Sequence, residues 1–465
     1  MALIIVIIAL LGFLLIATEK VTNINKAAVA VFAGTLCWVL YICYGADFVS
    51  SQHSSEYTNF LSGAVPTSVA VKQFIASNIF LKYVGRAAEI VLYLLATMTI
   101  VEVLNNNGCF DFLKQLLRTR NSRKMLWMLA LITFILSANL DNLTSTVMML
   151  TMMHGVVQNR RQRMLLGSVI VISANMGGAL TVIGDPTNLI IWNKNAVSAT
   201  NYSIAVALPC LLAWALPTWW IGRALPERVD TGWIVMPYRG DDTRLNVWQR
   251  LLMLIVGIGG LWFIPTFHDI TKLSPFLGAF CVLSILWIVN EIFNRRLDNV
   301  DKMIQNRIPR VLQYGVIQMM LFIVGIMLLL GVVKETGAIS WLAAWCNANI
   351  HNVWIMGIIA GAVSSVLDNV ATAASFFTLY DVSASVQGAA AGLAQNGIYW
   401  KVIAFSVVAG GNILAIGSMA GLSLLKMEHM HIGWFFRNVG WKALVGALAG
   451  LGTLYLTDWC YSVWV

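Results

Sequence analysis

Long apolar segments follow one another along the whole chain, separated by short polar stretches. Hydrophobic residues make up 59% of the 465 residues and charged residues only 11%, whereas charged residues are about 25% of an average soluble domain. Segments of about 20 apolar residues are long enough to cross the hydrocarbon core of a bilayer as helices. The pattern therefore predicts an all-α polytopic membrane protein, and it excludes a soluble enzyme, a disordered chain and a β-barrel.

Ten of the apolar segments are long enough to be complete membrane spans. They are 2–16, 27–45, 86–108, 164–192, 204–221, 249–265, 275–293, 311–332, 400–426 and 441–460. No basic residue precedes the first segment, so we interpret it as a retained helix and not as a cleaved signal peptide. The seven cysteines show no metal-binding spacing, and we expect neither a structural metal nor a cofactor.

Two further apolar segments, 125–157 and 353–380, are interrupted near their middle by polar residues. The interruptions read Ser-Ala-Asn-Leu-Asp-Asn at 137–142 and Ser-Ser-Val-Leu-Asp-Asn at 364–369. The arm at 125–136 extends about 18 Å as a helix, well short of a hydrocarbon core of about 30 Å. We therefore predict two re-entrant helical hairpins, whose polar tips are buried in protein or line a water-filled cavity.

Basic residues cluster in four regions, at 114–124, 160–163, 222–248 and 294–310. Cytoplasmic loops of membrane proteins are enriched in lysine and arginine, so these regions are expected inside the cell. The pattern predicts a multi-pass protein of a cell inner membrane, embedded in its lipid bilayer, with both termini outside in the periplasm. The net charge of +9 is thereby assigned to membrane topology, and no nucleic-acid partner is expected.

The two halves of the chain repeat the same polar pattern. Three residues of the first hairpin tip recur 227 positions later in the second tip: Ser137 with Ser364, Asp141 with Asp368, and Asn142 with Asn369. Each half holds five spans and one hairpin, and an odd number of spans turns the second copy upside down. We therefore predict two inverted-topology repeats, 1–230 and 249–465, joined by a cytoplasmic linker at 231–248. Secondary transporters with this plan bind their substrate near the midplane, at the repeat interface.

Asp141 and Asp368 lie at the two predicted tips. A charged side chain at the centre of a membrane costs about 2.5–3.5 kcal/mol on insertion scales, so such residues are usually functional. We interpret them as carboxylates that face one cavity from opposite sides and bind a transported sodium ion or a proton, helped by neighbouring serine and asparagine oxygens. The alternative is that each aspartate only caps the second helix of its hairpin. The two roles are compatible.

A second polar motif interrupts the span at 164–192 and is partly repeated in the span at 400–426. Glycines and a proline break helical hydrogen bonding there, and the freed carbonyls and helix ends can coordinate an ion. The predicted helix-breaking residues are Gly177, Gly178, Gly184 and Pro186 in the first half, and Gly410, Gly411 and Gly417 in the second. The polar candidates are Asn175, Asp185, Thr187, Asn188 and Ser418. Since Ser418 stands where the first half has Asp185, the predicted site is asymmetric; the alternative for each break is a plain helix kink.

Several motifs resemble those of a known transporter family. The segments are AAEIVLYLLATMTIVEV, SANLDNLTSTVMML and SANMGGALTVIGD in the first half, and SSVLDNV, GGNILAIGSMAGLSLLKME and HIGWFFRNVGWKALVGALAG in the second. They resemble the NhaD-type sodium/proton antiporters of the ion transporter superfamily. The resemblance implies export of sodium or lithium in exchange for protons, a homodimer, and a moving domain that holds both hairpins and both broken helices. It assigns functional roles to Ser137, Asp141, Asn142, Asn175, Asp185, Thr187, Ser364, Asp368, Asn369 and Ser418.

The substrate has two further interpretations. NhaD-type antiporters typically carry Gly-Asp-Val-Thr-Thr where this chain carries Gly-Asp-Pro-Thr-Asn at 184–188, which is closer to the arsenite-permease branch of the superfamily. The alternative function is therefore transport of arsenite, or of a dicarboxylate or other anion held at helix N-termini. A third alternative is an intramembrane aspartyl protease, but such enzymes carry Gly-x-Gly-Asp where this chain has Val-Ile-Gly-Asp, and we expect no enzyme. Cation/proton antiport is favoured, because no lysine or arginine lies within the hairpin tips or the helix breaks. Carboxylates that bind either a cation or a proton would also couple the two flows.

Overall fold

The computed structural model describes residues 1–22, 24–62, 65–113, 117, 119–230, 245–294, 314–350, 352–384 and 388–464. Most of these residues are helical, and the described ranges contain no β-strand. The predicted all-α class is therefore confirmed.

The helices of the first half are joined by short connections. They are α1 (Ala2–Ala17), α2 (Glu19–Thr22), α3 (Lys26–Cys43), α4 (Gly45–Gln52), α5 (Ser54–Leu61), α6 (Ser68–Phe74), α7 (Leu81–Asn106), α8 (Ser122–Asn139), α9 (Asn142–Val156), α10 (Arg160–Leu180), α11 (Pro186–Asn193) and α12 (Ala199–Gly222). A π-helical turn, Ile75–Phe80, joins α6 to α7 without a break.

From its hairpin onward, the second half has the same general order of helices as the first half. The helices before the hairpin differ. Its helices are α13 (Val247–Thr271), α14 (Pro275–Asn294), α15 (Tyr314–Glu335), α16 (Ala338–Asn349), α17 (Val353–Val366), α18 (Asn369–Leu379), α19 (Ile398–Leu414), α20 (Met419–Met427), α21 (Ile432–Phe435) and α22 (Trp441–Trp464). A 3₁₀-helix, Gly388–Leu393, precedes α19, and a π-helical turn, Phe436–Gly440, joins α21 to α22.

Nine helical segments of the described ranges are long and apolar enough to cross a membrane. They are Lys26–Cys43, Ser68–Asn106, Arg160–Leu180, Ala199–Gly222, Val247–Thr271, Pro275–Phe293, Ile317–Glu335, Ile398–Met427 and Ile432–Cys460. Each corresponds to a predicted span, and the tenth prediction, 2–16, corresponds to α1, whose length is about 24 Å. The protein is therefore a multi-pass membrane protein.

Both predicted hairpin segments are interrupted where the polar residues fall. In the first, Leu140 and Asp141 are extended and separate α8 from α9, and these two helices pack against each other. In the second, the break lies between α17 and α18, at Leu367 and Asp368. The linker predicted at 231–248 falls largely on 231–244, and the basic region predicted at 294–310 falls largely on 295–310; both stretches lie outside the described residues.

The chain divides into two compact units. The first unit comprises Met1–Leu92, Tyr314–Asn352 and Val370–Asp381. Its centre is the contact between α3 and α15, where a Cβ on Gly34 would meet the Gly325 carbonyl and a Cβ on Gly325 would meet the backbone of Ala30 and Val31. Small residues allow such close helix packing inside membranes. At one end of α15, Glu335 accepts hydrogen bonds from the Tyr83 hydroxyl at 2.5 Å and from His53 Nε2 at 2.6 Å.

The second unit comprises Tyr93–Gln313, Val353–Asn369 and Val382–Val465. Its centre is formed by α10 and α19, which are buried along most of their length and contact each other. The contacts follow the sequence repeat: α8 packs along α10 as α17 packs along α19, and α12 packs along α22. This unit holds the whole first hairpin, both broken helices and the tip residues of the second hairpin.

Glycines make the closest of these contacts possible. A Cβ on Gly177 would meet the backbone carbonyl of Phe134, and a Cβ on Gly410 would meet the carbonyl of Gly361. The two contacts are equivalent under the sequence repeat. Both glycines therefore bring a helix of the unit's centre against the first arm of a hairpin.

These contacts predict that alanine is not tolerated at Gly177 or Gly410. Either substitution should lower the free energy of unfolding by about 1–3 kcal/mol, because the backbone must move apart. The matched control is Gly155→Ala in α9, where a Cβ meets nothing within 4 Å. Thermal unfolding of the purified proteins in detergent measures the difference, and equal melting temperatures for Gly177→Ala and Gly155→Ala would contradict the packing described.

Candidate functional site

The first hairpin tip is organised around Asp141. This residue is the N-cap of α9, with its Oδ1 accepting the Thr144 backbone N–H at 2.9 Å and its Oδ2 accepting the Thr144 hydroxyl. The capping role considered from the sequence is therefore present. Each carboxylate oxygen has two lone pairs, so capping leaves acceptor capacity on a carboxylate that is only 5% exposed.

The first helix break presents a second capped carboxylate. Asp185 is the N-cap of α11, and its Oδ1 accepts the Thr187 backbone N–H at 2.8 Å. Pro186 occupies the first helical position, where a missing N–H removes no helical hydrogen bond. The other oxygen of Asp185 accepts a hydrogen bond from Asn142 Nδ2. The break and the hairpin tip are thus joined directly.

Asn175 extends this contact to the second broken helix. Its Oδ1 lies 3.3 Å from Asn142 Nδ2, and its own Nδ2 donates to Asn412 Oδ1 at 2.8 Å and to Ser418 Oγ at 3.0 Å. Asn175 is fully buried. A continuous polar network therefore runs from Asp185 through two asparagines to Ser418.

Ser418 occupies the place in the second half that Asp185 occupies in the first. It is the N-cap of α20, with its hydroxyl accepting the Gly421 N–H at 3.1 Å. Beside it, the backbone N–H of Asn369 donates to the Gly417 carbonyl at 2.8 Å, and the Asn369 amide donates to the same carbonyl at 2.7 Å. The two breaks therefore share one design with different caps, a carboxylate in the first half and a hydroxyl in the second.

The two predicted serines hold the hairpins against the broken helices. Ser137 Oγ donates to the Ala174 carbonyl at 2.6 Å, and Ser364 Oγ donates to the Val407 carbonyl at 2.8 Å. Gly184 and Gly417 lie against the backbone carbonyls of Ser137 and Ser364, respectively, too closely to carry a Cβ. These serine hydroxyls position the tips, which is a different role from binding an ion directly.

Asn188 has a similar structural task within the first break. Its Nδ2 donates to the carbonyls of Gly178 and Thr181 at 3.1 and 2.9 Å, and its Oδ1 accepts from the Tyr202 hydroxyl at 3.0 Å. Thr187 is buried beside it. Carbonyls released by the break are therefore bonded by an amide side chain.

Asp368 completes the set of buried carboxylates. It precedes α18 and is 5% exposed. Asp185 interacts electrostatically with both Asp368 and Asp141, and all three belong to the second unit. Negative charges on neighbouring carboxylates repel one another. The group of three aspartates therefore favours the binding of a positive charge.

Two residues that bond to predicted site residues were not themselves predicted as site residues. Asn412 follows the glycine pair of the second break, but the repeat aligns Asn175 with Val408 and so does not identify Asn412. Tyr202, whose hydroxyl oxygen also lies 3.0 Å from the Ala179 carbonyl oxygen, is in an apolar span without any motif. A search for polar residues inside spans would have found both.

Comparison with known proteins identifies the family of this chain. The sequence model described as "CitMHS: Citrate transporter" matches residues 2–410. The chain belongs to the citrate transporter (CitMHS) family. It is therefore a membrane transporter.

Several proteins similar in sequence to this chain are named sodium/proton antiporters. Sodium/proton antiporter 1 of Arabidopsis thaliana is 32% identical over 79% of this chain and 61% of its own length, so the chain spans about three fifths of that relative. Sodium/proton antiporter 2 of the same plant is 28% identical over 95% of this chain and 96% of its own. Na⁺/H⁺ antiporter NhaD of Vibrio cholerae is 24% identical over 91% and 86%. The resemblance to NhaD-type antiporters is confirmed.

A solved structure is also similar. It is that of the Alcanivorax borkumensis YdaH transporter, with a TM-score of 0.49 and 12% identity over 82% of this chain and 87% of that one.

The position of Asn188 generates a prediction about this member of the CitMHS family. Asn188→Ala should lower the free energy of unfolding by about 1–3 kcal/mol, because it leaves buried carbonyls without a donor. Asn349→Ala is the matched control, since Asn349 is exposed and its amide donates only to the Trp345 carbonyl. If thermal unfolding in detergent shows both variants melting alike, the amide does not hold the break together.

Proposed function

We propose that the protein is a sodium (or lithium)/proton antiporter that exports the cation in exchange for protons by alternating access. The observation that carries the proposal is the group of three buried carboxylates, Asp141, Asp185 and Asp368, in one compact unit among neutral amides and hydroxyls. Carboxylates buried in a membrane protein need a compensating positive charge, and both a small cation and a proton provide one.

Competition for the same carboxylates is the proposed coupling mechanism. A carboxylate that binds a cation loses it when it takes up a proton, so each side of the membrane exchanges one for the other. Asp141 and Asp368 are proposed as the carboxylate ligands of the transported sodium ion, and Asp185 as a further cation- or proton-binding carboxylate of the same site. Within the described residues no three His, Cys, Asp or Glu side chains are placed to hold a metal ion together. The remaining ligands are therefore proposed to be neutral oxygens.

The other predicted site residues divide into two proposed groups. Asn142, Asn175 and Ser418 form the network that links the carboxylates to the second half, and their oxygens are candidates for contact with the cation. The positioning group is Ser137, Ser364, Asn369, Thr187 and Asn188, which bond to backbone or to one another around the breaks.

The predicted repeat and orientation belong to the same proposal. The equivalent contacts of Gly177 and Gly410 support two repeats, 1–230 and 249–465, and the positive-inside pattern of the loops supports an inverted arrangement with both termini outside an inner membrane. A homodimer is proposed on the resemblance to NhaD-type antiporters alone.

Anion transport is the second candidate, because the matching family is described by citrate transport and because Gly-Asp-Pro-Thr-Asn departs from the NhaD pattern. Three carboxylates would repel a polyanion such as citrate, and no lysine or arginine lies in the hairpin tips or the helix breaks to offset them. Neutral arsenite meets no such repulsion, so it is a more serious alternative than citrate.

Everted membrane vesicles with a pH-sensitive dye test the proposal. After respiration has acidified the vesicles, sodium or lithium should restore the dye's fluorescence and choline should not. Silence with these cations, together with flux of arsenite or citrate, would contradict antiport and assign the protein to the anion branch.

Charge removal at the carboxylates gives a residue-level prediction. Asp141→Asn and Asp368→Asn should each abolish sodium-dependent fluorescence recovery while the protein is still inserted and folded. The matched control is Asp381→Asn, which changes an exposed carboxylate that pairs with Lys334 at 2.7 Å. An Asp141→Asn variant with wild-type exchange in proteoliposomes would remove that residue from the mechanism.

A further inference from the structure

Two buried hydroxyls occupy the same place in the two hairpins and have no hydrogen-bond partner. They are Ser145 in α9 and Thr372 in α18, and both are fully buried. Thr372 follows Ser145 by 227 residues, the same interval that relates the two tips. The equivalence indicates that the missing partner has a common cause in both halves.

Serine and threonine side chains in apolar helices usually bond back to a carbonyl of the preceding turn. Thr133, Thr151 and Ser168 do so here, at 2.6, 2.7 and 2.7 Å. A buried hydroxyl that forgoes this bond is costly unless something else binds it. Six serine and threonine hydroxyls of the described residues lack a partner, and among them only Ser145 and Thr372 are equivalent under the repeat.

The helical register places Ser145 beside the carboxylate site. Ser145 follows Asp141 by four residues and Asn142 by three, so it lies on the same face of α9, one turn further from the tip. Asn142 on that face contacts Asp185. α9 also packs against α10, which carries Asn175, and against α20, whose N-cap is Ser418. The Ser145 hydroxyl therefore lies along the wall of the site to which Asp141 and Asp185 belong.

We propose that the Ser145 hydroxyl is a further oxygen ligand of the transported sodium ion. The inference rests on the proposed antiport function and extends it to a residue outside the predicted site. A hydroxyl oxygen offers two lone pairs and no charge, which suits a monovalent cation already paired with a carboxylate. In the second half, Thr372 is the counterpart by sequence.

Thr146 provides a strict comparison. Its hydroxyl is also buried without a partner, but its repeat counterpart is Ala373, and it lies further around α9 from Asp141. If any buried hydroxyl on this helix affected sodium affinity, Thr146 would do so as well. The proposal requires that, of these two residues, only Ser145 affects the sodium affinity.

The test measures sodium-driven proton flux in proteoliposomes as a function of sodium concentration. Ser145→Ala should raise the half-maximal sodium concentration about tenfold, because a direct ligand is lost. Ser145→Thr keeps a hydroxyl, as the second half does, and should stay near wild type. Thr146→Val and Ser168→Ala should also stay near wild type.

A second measurement separates ligand loss from misfolding. The melting temperature of Ser145→Ala in choline chloride should equal or exceed that of wild type, because an unsatisfied buried hydroxyl has been removed, while the stabilisation by sodium chloride should shrink. A lower melting temperature in choline chloride with an unchanged sodium effect would show a structural role and overturn the proposal.

The outcomes distinguish the two claims. Wild-type protein without sodium-driven flux would refute the antiport function and this inference with it. If the wild-type protein shows sodium-driven flux and Ser145→Ala has the same sodium dependence, the inference alone is refuted. The Ser145 hydroxyl would then not be a sodium ligand. An equal effect of Thr146→Val would refute it as well.

Discussion

The structure depends on keeping three carboxylates buried in the membrane-embedded unit. Each needs hydrogen-bond donors and a nearby positive charge, and the helix breaks supply both. Asp141 and Asp185 stand at the starts of α9 and α11, where backbone N–H groups point at them. The broken helices are therefore a consequence of the chemistry, since an unbroken helix offers no free N–H groups at its middle.

Breaking a helix inside a membrane exposes its own carbonyls, and the protein bonds them with side chains. Asn188 bonds the carbonyls at the first break, and Asn369 bonds Gly417 at the second. Gly177 and Gly410 let the first arm of each hairpin lie directly against the helix that precedes the break. The site is thus a polar framework in which Asp141 and Asp185 keep acceptor capacity beyond their capping bonds.

Much of this architecture was predictable because the physical signals are strong. An apolar arm too short for a bilayer marked the first tip, and the repeat of Asp141 at Asp368 marked the second. The start of the third span was predicted 18 residues too late, because α6 and α7 form one continuous helix back to Ser68 that the mixed sequence did not reveal. The helix Ala338–Asn349 was not predicted, since its 12 residues are too few to span.

The polar residues of the site were more predictable than the hydrogen bonds between them. Sequence spacing identified Asn175 and Asn188 as polar residues at a break, but not that one joins two halves and the other bonds carbonyls. Asn412 was missed as a partner because its contact with Asn175 does not follow the repeat. Contacts of this kind come from tertiary packing, and only residues at matched positions can be inferred from a repeat.

Proton release on cation binding tests the central claim most directly. Purified protein in weakly buffered detergent solution is mixed with sodium chloride, and the pH is followed with an indicator dye. If one set of carboxylates binds either a cation or a proton, sodium or lithium should release protons in a saturable manner and choline should release none. Saturable sodium binding without proton release would contradict competition at a shared site.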